Sequence, residues 1–162
     1  MTDAAPALVQ LLDELARTRG RTVAAFARIR IEAGLTEMEG IVLSAVMRAQ
    51  RAPTVSQIGR SLGHARQVIQ RAADALVARG LVAFEDNPDH KRARLLVPTD
   101  AGQAMQRDND AKGLALAGRL TTGLDGDAVA ATARGLGQVR QRLEENLRRI
   151  EREADEDPAA NA

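Results

Sequence analysis

Residues 54–99 read TVSQIGRSLGHARQVIQRAADALVARGLVAFEDNPDHKRARLLVPT and contain two helical patterns joined by a glycine-containing turn. Thr54 and the glutamine three residues later form a capping box that begins the first helix, and Gly63 is placed to end it. The second pattern covers 66–79, where apolar residues recur every three to four positions, and Gly80 follows as a C-terminal cap. The spacing therefore predicts two consecutive helices separated by a tight turn.

A short hairpin follows the second helix. Residues 81–85 and 94–97 have the composition of strands, and the polar turn between them opens with Asn87 and Pro88. Two helices followed by a two-stranded hairpin are the element order of a winged helix-turn-helix, whose second helix reads the major groove of DNA. DNA binding is therefore the first hypothesis.

The outward side of the second helix is polar. Arginine can pair with guanine edges, glutamine can pair with adenine edges, and both can bond phosphate oxygens. We therefore expect DNA contacts from this recognition helix and from the hairpin, or wing. The predicted contact residues are His64, Arg66, Gln67, Gln70 and Arg71 at the helix, and His90, Lys91, Arg92 and Arg94 in the wing.

The runs RQVIQRAADALVARGLV and NPDHKRARLLVPTDAG resemble the recognition helix and wing of the multiple antibiotic resistance regulator (MarR) family of bacterial transcription factors. The wing pattern of that family is approximately Asp-Pro-x-Asp-x-Arg, followed by a short apolar strand, a Thr and a Gly. It falls here on Asn87, Pro88, His90, Arg92, Thr99 and Gly102. The resemblance implies a homodimeric repressor that leaves a pseudo-palindromic double-stranded DNA operator when a small-molecule effector binds.

Three positions depart from the family pattern. Asn87 keeps the turn-forming role of the usual acid, whereas His90 replaces the Asp that braces the wing arginine, for which Asp89 is a substitute. The family often begins the recognition helix with Ser or Thr, and Ala65 here would lose roughly 1 kcal/mol of capping. Family effectors are often small aromatic or phenolic compounds bound between the DNA-binding lobe and the dimerisation helices. Phe26 and Met47 are the candidates to line such a cleft.

Long helical patterns flank the lobe on both sides. An apolar stripe runs over 7–32 and is interrupted at 18–22, where we expect the helix to bend or weaken, and Thr99 is expected to cap a helix that ends near 120. The last stripe, over 129–150, is too long for a lobe of about 65 residues to cover, so we expect a two-fold dimer. The predicted dimer contacts are Leu8, Leu12, Leu136, Leu143, Leu147 and Ile150.

The fold class predicted from these elements is mainly α with a small β-hairpin wing. We divide the chain into an N-terminal dimerisation helix (1–35), a winged helix-turn-helix lobe (36–100), C-terminal dimerisation helices (101–154) and a disordered tail (155–162). Residues 41–94 hold nine Lys or Arg and four Asp or Glu, a local net charge of +5 in a chain whose net charge is +1. A basic central segment flanked by acidic segments is typical of a DNA-contacting lobe joined to separate dimerisation helices.

Other functions find little support in the sequence. The chain has no cysteine, which excludes disulfides and thiolate metal sites, and two histidines are too few for a zinc site. No spacing of a nucleophilic centre is present, so we predict no catalytic residue, no metal and no cofactor, and expect the protein not to be an enzyme. The N-terminus lacks the basic start of a signal peptide and no apolar run approaches the roughly 20 residues of a membrane span, so we expect a cytoplasmic protein.

Two alternatives remain open at this point. One is a winged-helix protein-interaction module, as in an antirepressor, that does not bind DNA, although the polar face at 66–71 and Arg92 argue against it. The other is a helical enzyme subunit, which the missing catalytic constellation disfavours. A gel shift against the protein's own upstream region separates the first alternative from a DNA-binding regulator.

Overall fold

The structure is a computed structural model that describes residues 3–90 and 92–156, and within them it contains six helices and one two-stranded antiparallel sheet. The predicted fold class, mainly α with a β-hairpin wing, is confirmed. The elements are α1 (Ala4–Glu32), α2 (Glu37–Arg48), α3 (Val55–Leu62), α4 (Arg66–Ala78), β1 (Val82–Glu85), β2 (Leu95–Pro98), α5 (Asp100–Leu120) and α6 (Gly126–Glu156).

The capping box predicted for α3 is confirmed. At the start of α3, the Gln57 amide N–H donates to Thr54 Oγ1 at 3.2 Å and the Thr54 amide N–H donates to Gln57 Oε1 at 2.8 Å. The same reciprocal pair begins α2 between Thr36 and Glu39. Gly63 ends α3 with a φ of 67°, a left-handed conformation that favours glycine. The helix-turn-helix is therefore set by local signals in the sequence.

The first strand begins one residue later than predicted, and the second is shifted by one residue. Val82 pairs with Pro98 and Glu85 pairs with Leu95 in an antiparallel register. The first strand begins at Val82 because the Leu81 amide N–H is used by the cap of α4, where it donates to the Leu76 carbonyl at 2.9 Å. Only a three-residue turn, 79–81, thus joins the recognition helix to the wing.

Helix α1 is continuous, so the predicted interruption at 18–22 is wrong. Thr22 remains helical and its hydroxyl donates to the Thr18 carbonyl at 2.9 Å, one turn earlier. The backbone at 18–22 therefore stays helical although the Thr22 hydroxyl shares the Thr18 carbonyl. Gly20 lies within the same unbroken helix.

The core of the lobe lies between α2, α4 and the hairpin. Its fully buried side chains come from each of these elements, so apolar burial fixes α4 against α2 and the sheet. They include Val42, Leu43, Ile69, Leu76, Val82 and Leu96.

The Thr and Gly that end the wing pattern connect the recognition helix to α5. The Thr99 hydroxyl donates to the Gly80 carbonyl at 2.7 Å and accepts the Gly102 amide N–H at 3.0 Å. A β-carbon at Gly102 would overlap the Leu81 carbonyl oxygen and lie 2.8 Å from the terminal methyl of Met47. Only glycine lets α5 approach the end of α4 this closely, which gives the Thr–Gly spacing its physical reason.

The chain falls into two compact units, divided between Ala117 and Gly118. The four-part division predicted from the sequence stays a prediction. Helix α6 extends to Glu156, and the remainder of the predicted tail, 157–162, lies outside the described residues. Across the described part of the chain, no helix has the length and apolar character needed to span a bilayer.

Candidate nucleic-acid interface

The recognition helix α4 buries one face and exposes the other. Ile69, Ala72, Ala73 and Leu76 form the buried face. Arg66, Gln67 and Arg71 are exposed and Gln70 is half-buried, so the predicted reading residues lie on the side that does not pack on the lobe. Ala65 makes no side-chain cap hydrogen bond, in agreement with the capping loss predicted there.

Asn87 organises the tip of the wing. Its side-chain oxygen accepts the Asp89 amide N–H at 3.0 Å, and its side-chain nitrogen donates to the Ala93 carbonyl at 2.9 Å. The turn-forming role predicted for Asn87 is therefore confirmed. His90 is exposed in this turn, and Lys91 lies outside the described residues.

Arg92 is not braced by an acid in the described structure. It is exposed, and it forms no ion pair or hydrogen bond with any described residue, Asp89 included. Asp89 therefore does not act as the substitute brace in this conformation. The Arg92 guanidinium is left available to an anion outside the protein.

Arg94 holds the two strands of the wing together. Its guanidinium donates to the Phe84 carbonyl at 2.9 Å and lies over the Phe84 ring, 5.0 Å from the ring centroid. A hydrogen bond and a cation–π contact to one residue of the facing strand fix the arginine in place. Its predicted phosphate contact stays a prediction, and the structure adds a positioning role inside the wing.

A cleft of about 290 Å³ separates α4 from the wing. Gln70 and Asp74 face this cleft one helical turn apart, and the Gln70 side-chain nitrogen donates to Asp74 Oδ1 at 2.9 Å. The cleft is lined by three predicted contact arginines as well: Arg66, Arg92 and Arg94. The recognition helix and the wing thus present their polar groups to one common space.

His64 occupies the turn between α3 and α4. It is half-buried, and its backbone N–H donates to the Gly59 carbonyl at 2.9 Å. It lines a shallow groove of about 440 Å³ together with Arg60 and Arg66. Arg60 is a basic residue at this face that the sequence reading did not single out.

Three arginines of this face have no acidic partner within residues 3–90 and 92–156. Arg60, Arg66 and Arg71 are exposed and form no ion pair with any residue that the structure describes. Several arginines elsewhere are paired, as on α6, where Arg140 contacts Glu144 at 2.7 Å and Arg142 contacts Glu145 at 2.8 Å. Unpaired guanidinium groups on one surface are suited to binding phosphate.

A second cavity, of about 550 Å³, lies between α1, α2 and the first half of α5. Phe26 lines it, whereas Met47 lies outside it and packs against the core of the lobe, and an effector contact of Phe26 stays a prediction. The cavity has an apolar wall and several polar groups. The apolar wall includes Val23, Phe26, Ile29, Leu35, Ile41 and Leu62.

Two residues that line this cavity each have a buried polar atom without a hydrogen-bond partner among the described residues: Arg30 Nε and Asn109 Oδ1. An unsatisfied buried donor or acceptor costs roughly 1–3 kcal/mol, so the pair is unusual in a folded protein. The sequence reading missed both residues. A signal existed for Arg30, because it falls on the apolar stripe of α1 at the helical spacing of Val23 and Phe26.

Asp74 was also missed, although it lies four residues after Gln70, a spacing that brings side chains together on a helix. Within residues 3–90 and 92–156, no three His, Cys, Asp or Glu side chains are grouped so that they could hold a metal ion.

Comparisons with known proteins agree with this geometry. The MarR family model matches residues 33–93, which include α2, the helix-turn-helix and the wing tip. An uncharacterized protein from Mycobacterium tuberculosis is 36% identical over 142 residues, covering 86% of this chain and 94% of that protein.

Solved structures share the fold. A mutant of MarR from E. coli, complexed with operator DNA, aligns with a TM-score of 0.66 and 23% identity over 85% of this chain and 99% of that one. CouR from Rhodococcus jostii RHA1, bound to p-coumaroyl-CoA, aligns with a TM-score of 0.68 and 23% identity over 77% of this chain and 87% of that one. The chain belongs to the MarR family of winged-helix, DNA-binding transcription regulators, which are not enzymes.

Proposed function

We propose that the protein is a homodimeric repressor that binds a pseudo-palindromic operator through α4 and the wing, and that a small-molecule effector releases it. The observation that carries the proposal is the face of unpaired arginines around the cleft between α4 and the wing. Arg66 and Arg92 line this cleft without an ion pair to any described residue, and Arg71 is exposed on the same helix. Phosphates would supply the missing anions.

The dimer is supported by exposed apolar side chains on α1 and α6. Val9 and Leu12 are 68% and 52% exposed, and Leu147 and Ile150 are 56% and 55% exposed. Side chains of this size gain about 1.5–3 kcal/mol each when they are fully buried, which favours a second copy over solvent. The proposed contacts are those predicted from the sequence: Leu8, Leu12, Leu136, Leu143, Leu147 and Ile150. Two-fold symmetry would place the recognition helices roughly 34 Å apart, one turn of DNA.

The experiment that tests DNA binding is a gel shift of the DNA upstream of the protein's own gene, followed by selection from random duplexes. Wild-type protein should shift the upstream fragment but not a scrambled fragment of equal composition, and the selected motif should be an inverted repeat. A protein that shifted neither fragment and selected no motif at low salt would be a protein-interaction module. A promoter–reporter fusion that rises when the gene is deleted would support repression over activation.

Arg71→Ala tests the electrostatic part of this binding. We expect affinity to fall about equally on all DNA sequences and the slope of log K against log salt to fall by roughly one for each half-site, because one phosphate contact is lost. Arg134→Ala on α6 is the matched control, since Arg134 is also exposed and has no ion pair with a described residue. Salt titrations that gave both variants the wild-type slope would remove Arg71 from the interface.

The effector is proposed to bind in the cavity between α1, α2 and α5. The two atoms without partners, Arg30 Nε and Asn109 Oδ1, are one donor on a cation and one acceptor. Their chemistry complements a compound that carries an acidic oxygen and a hydrogen-bond donor, with the apolar wall covering a ring. CouR, whose structure contains p-coumaroyl-CoA, supports the expectation that this fold accommodates ring-bearing ligands.

Arg30→Met tests this pocket. In wild-type protein, hydroxybenzoates should raise the thermal midpoint and release operator DNA at lower concentrations than the corresponding hydroxybenzamides. In the variant, the preference for the hydroxybenzoate over the hydroxybenzamide should fall about tenfold, since a hydrogen bond to a charged group contributes at least about 1.5 kcal/mol. Arg28→Met is the control, because Arg28 is on the same helix but pairs with Glu32 at the surface. Equal preference for the acid in wild type and both variants would place the effector elsewhere.

A further inference from the structure

Gln70 is held by a neighbouring carboxylate. Its side-chain nitrogen donates to Asp74 Oδ1 at 2.9 Å, and both residues line the cleft between α4 and the wing. A carboxylate only accepts hydrogen bonds, whereas an amide has one donating and one accepting end. Flipping the amide would place its oxygen against the Asp74 oxygen and leave two acceptors facing each other. The Asp74 contact therefore fixes which end of Gln70 points away from it.

We propose that Asp74 is a positioning residue for sequence reading, and that it orients Gln70 so that the amide oxygen is presented to the DNA base edge. This inference rests on the proposed function, because it assumes that α4 enters the major groove. A glutamine without such a partner can rotate its amide and donate to acceptor groups as well. Gln70 held by Asp74 instead reads a base that offers a donor.

The base chemistry then defines the selected sequence. In the major groove, adenine and cytosine offer an amino group to an acceptor, whereas guanine offers two acceptors and thymine one acceptor and a methyl group. The second N–H of the Gln70 amide is not used by Asp74 and can reach adenine N7. The pair therefore selects adenine first and cytosine second on the strand that it faces, and it rejects guanine and thymine.

Asp74 also has an effect that does not depend on sequence. Its carboxylate is exposed and lies in a cleft lined by Arg66, Arg92 and Arg94, and it forms no ion pair with them in the described structure. A negative charge at this place repels phosphate on every DNA sequence. Removing the charge should raise affinity uniformly, whereas removing the orienting contact should change the preference at one base pair. The two effects can be separated by experiment.

The experiment compares full-length wild type with Gln70→Ala, Asp74→Ala, Asp74→Asn and the Gln70→Ala/Asp74→Ala double variant. Each is used for selection from random duplexes and then titrated against four operators that differ only at the base pair where Gln70→Ala loses preference. In wild type we expect roughly tenfold discrimination at that pair, within the range of a good amide–base contact. Asp74→Ala should lose most of it, and the double variant should be no less specific than Gln70→Ala.

Asp74→Asn is the conservative rescue. Its side-chain oxygen can still accept from Gln70, so the preference should be retained, while the loss of charge should raise affinity on all four operators as in Asp74→Ala. Glu85→Ala, which removes an exposed acid at the end of β1, reports a charge effect alone. Circular dichroism should show unchanged folding for every variant, since Asp74 and Glu85 are exposed.

The outcomes separate the two proposals. An Asp74→Ala protein that kept the wild-type discrimination at every position, with only a uniform gain in affinity, would show that Asp74 acts through its charge and would overturn the positioning role. A Gln70→Ala protein with an unchanged motif would overturn it as well, while leaving the proposed DNA binding intact. A wild-type protein that selected no motif would overturn the proposed function itself.

Discussion

Changing Leu147 and Ile150 together to Asp should turn the dimer into a monomer and lower operator affinity more than a hundredfold. Both side chains are more than half exposed, at 56% and 55%, so the substitutions should leave the helix of the protomer intact. In the proposed dimer they are covered by the second copy, where burying an unpaired carboxylate costs several kcal/mol. A monomer holds only one half-site, so it also loses the gain from binding two linked sites.

Sedimentation velocity gives the assembly state of this variant, and fluorescence anisotropy with the selected operator gives its affinity. Leu124→Asp is the matched control, because Leu124 is 59% exposed but lies in the turn before α6. We expect Leu124→Asp to sediment and bind like wild type. A double variant that remained a dimer and bound the operator normally would show that the copies associate through another surface.

The helices of the lobe were predictable because short-range sequence signals set where they begin and end. Thr54 and Gln57 are three residues apart and form a capping box whatever the rest of the chain does. Gly63 and Gly80 both have a φ of 67°, so the ends of α3 and α4 are set by a residue type that suits this conformation. The wing pattern from Asn87 to Gly102 was identified by resemblance, and the structure supplies its contacts.

Two features that sequence reading missed depend on contacts between distant segments. Arg94 is engaged by Phe84, ten residues away across the sheet, and no spacing rule names that partner. The cavity with Arg30 and Asn109 forms where α1 meets α5, so the two unpartnered atoms become visible only after folding. The expected break in α1 was wrong for a different reason. Low helix propensity at 18–22 is a weak signal, and these residues lie inside one continuous helix of 29 residues.

A substitution in the wing, at Arg92, should also lower operator affinity strongly. Arg92 is exposed and has no partner within the described residues. From the wing it can enter the minor groove beside the recognition helix, where narrow A·T tracts concentrate negative potential. Arg92→Ala removes one such contact from each half-site, so operator affinity should fall by about 3 kcal/mol in total, roughly a hundredfold. The loss should be much smaller when the flanking base pairs are G·C.

Anisotropy titrations on A·T-flanked and G·C-flanked operators measure this difference. Arg94→Met is the comparison within the wing, because it removes the hydrogen bond to the Phe84 carbonyl and the contact with the Phe84 ring. A displaced wing should weaken both operators alike, whereas loss of Arg92 should act mainly on the A·T-flanked one. Equal affinity of Arg92→Ala and wild type on both operators would eliminate the minor-groove role.

His90→Asp tests whether the residue at this position orders Arg92 or contacts phosphate. The resembled family usually has an Asp at this position, and here the imidazole leaves Arg92 without a carboxylate brace. If ordering of Arg92 limits affinity, His90→Asp should tighten operator binding. This gain requires Arg92, so it should vanish in the His90→Asp/Arg92→Ala double variant. If His90 itself contacts phosphate, the new Asp should repel DNA and weaken binding with or without Arg92. The sign of the change in the two backgrounds therefore decides between a brace and a phosphate contact.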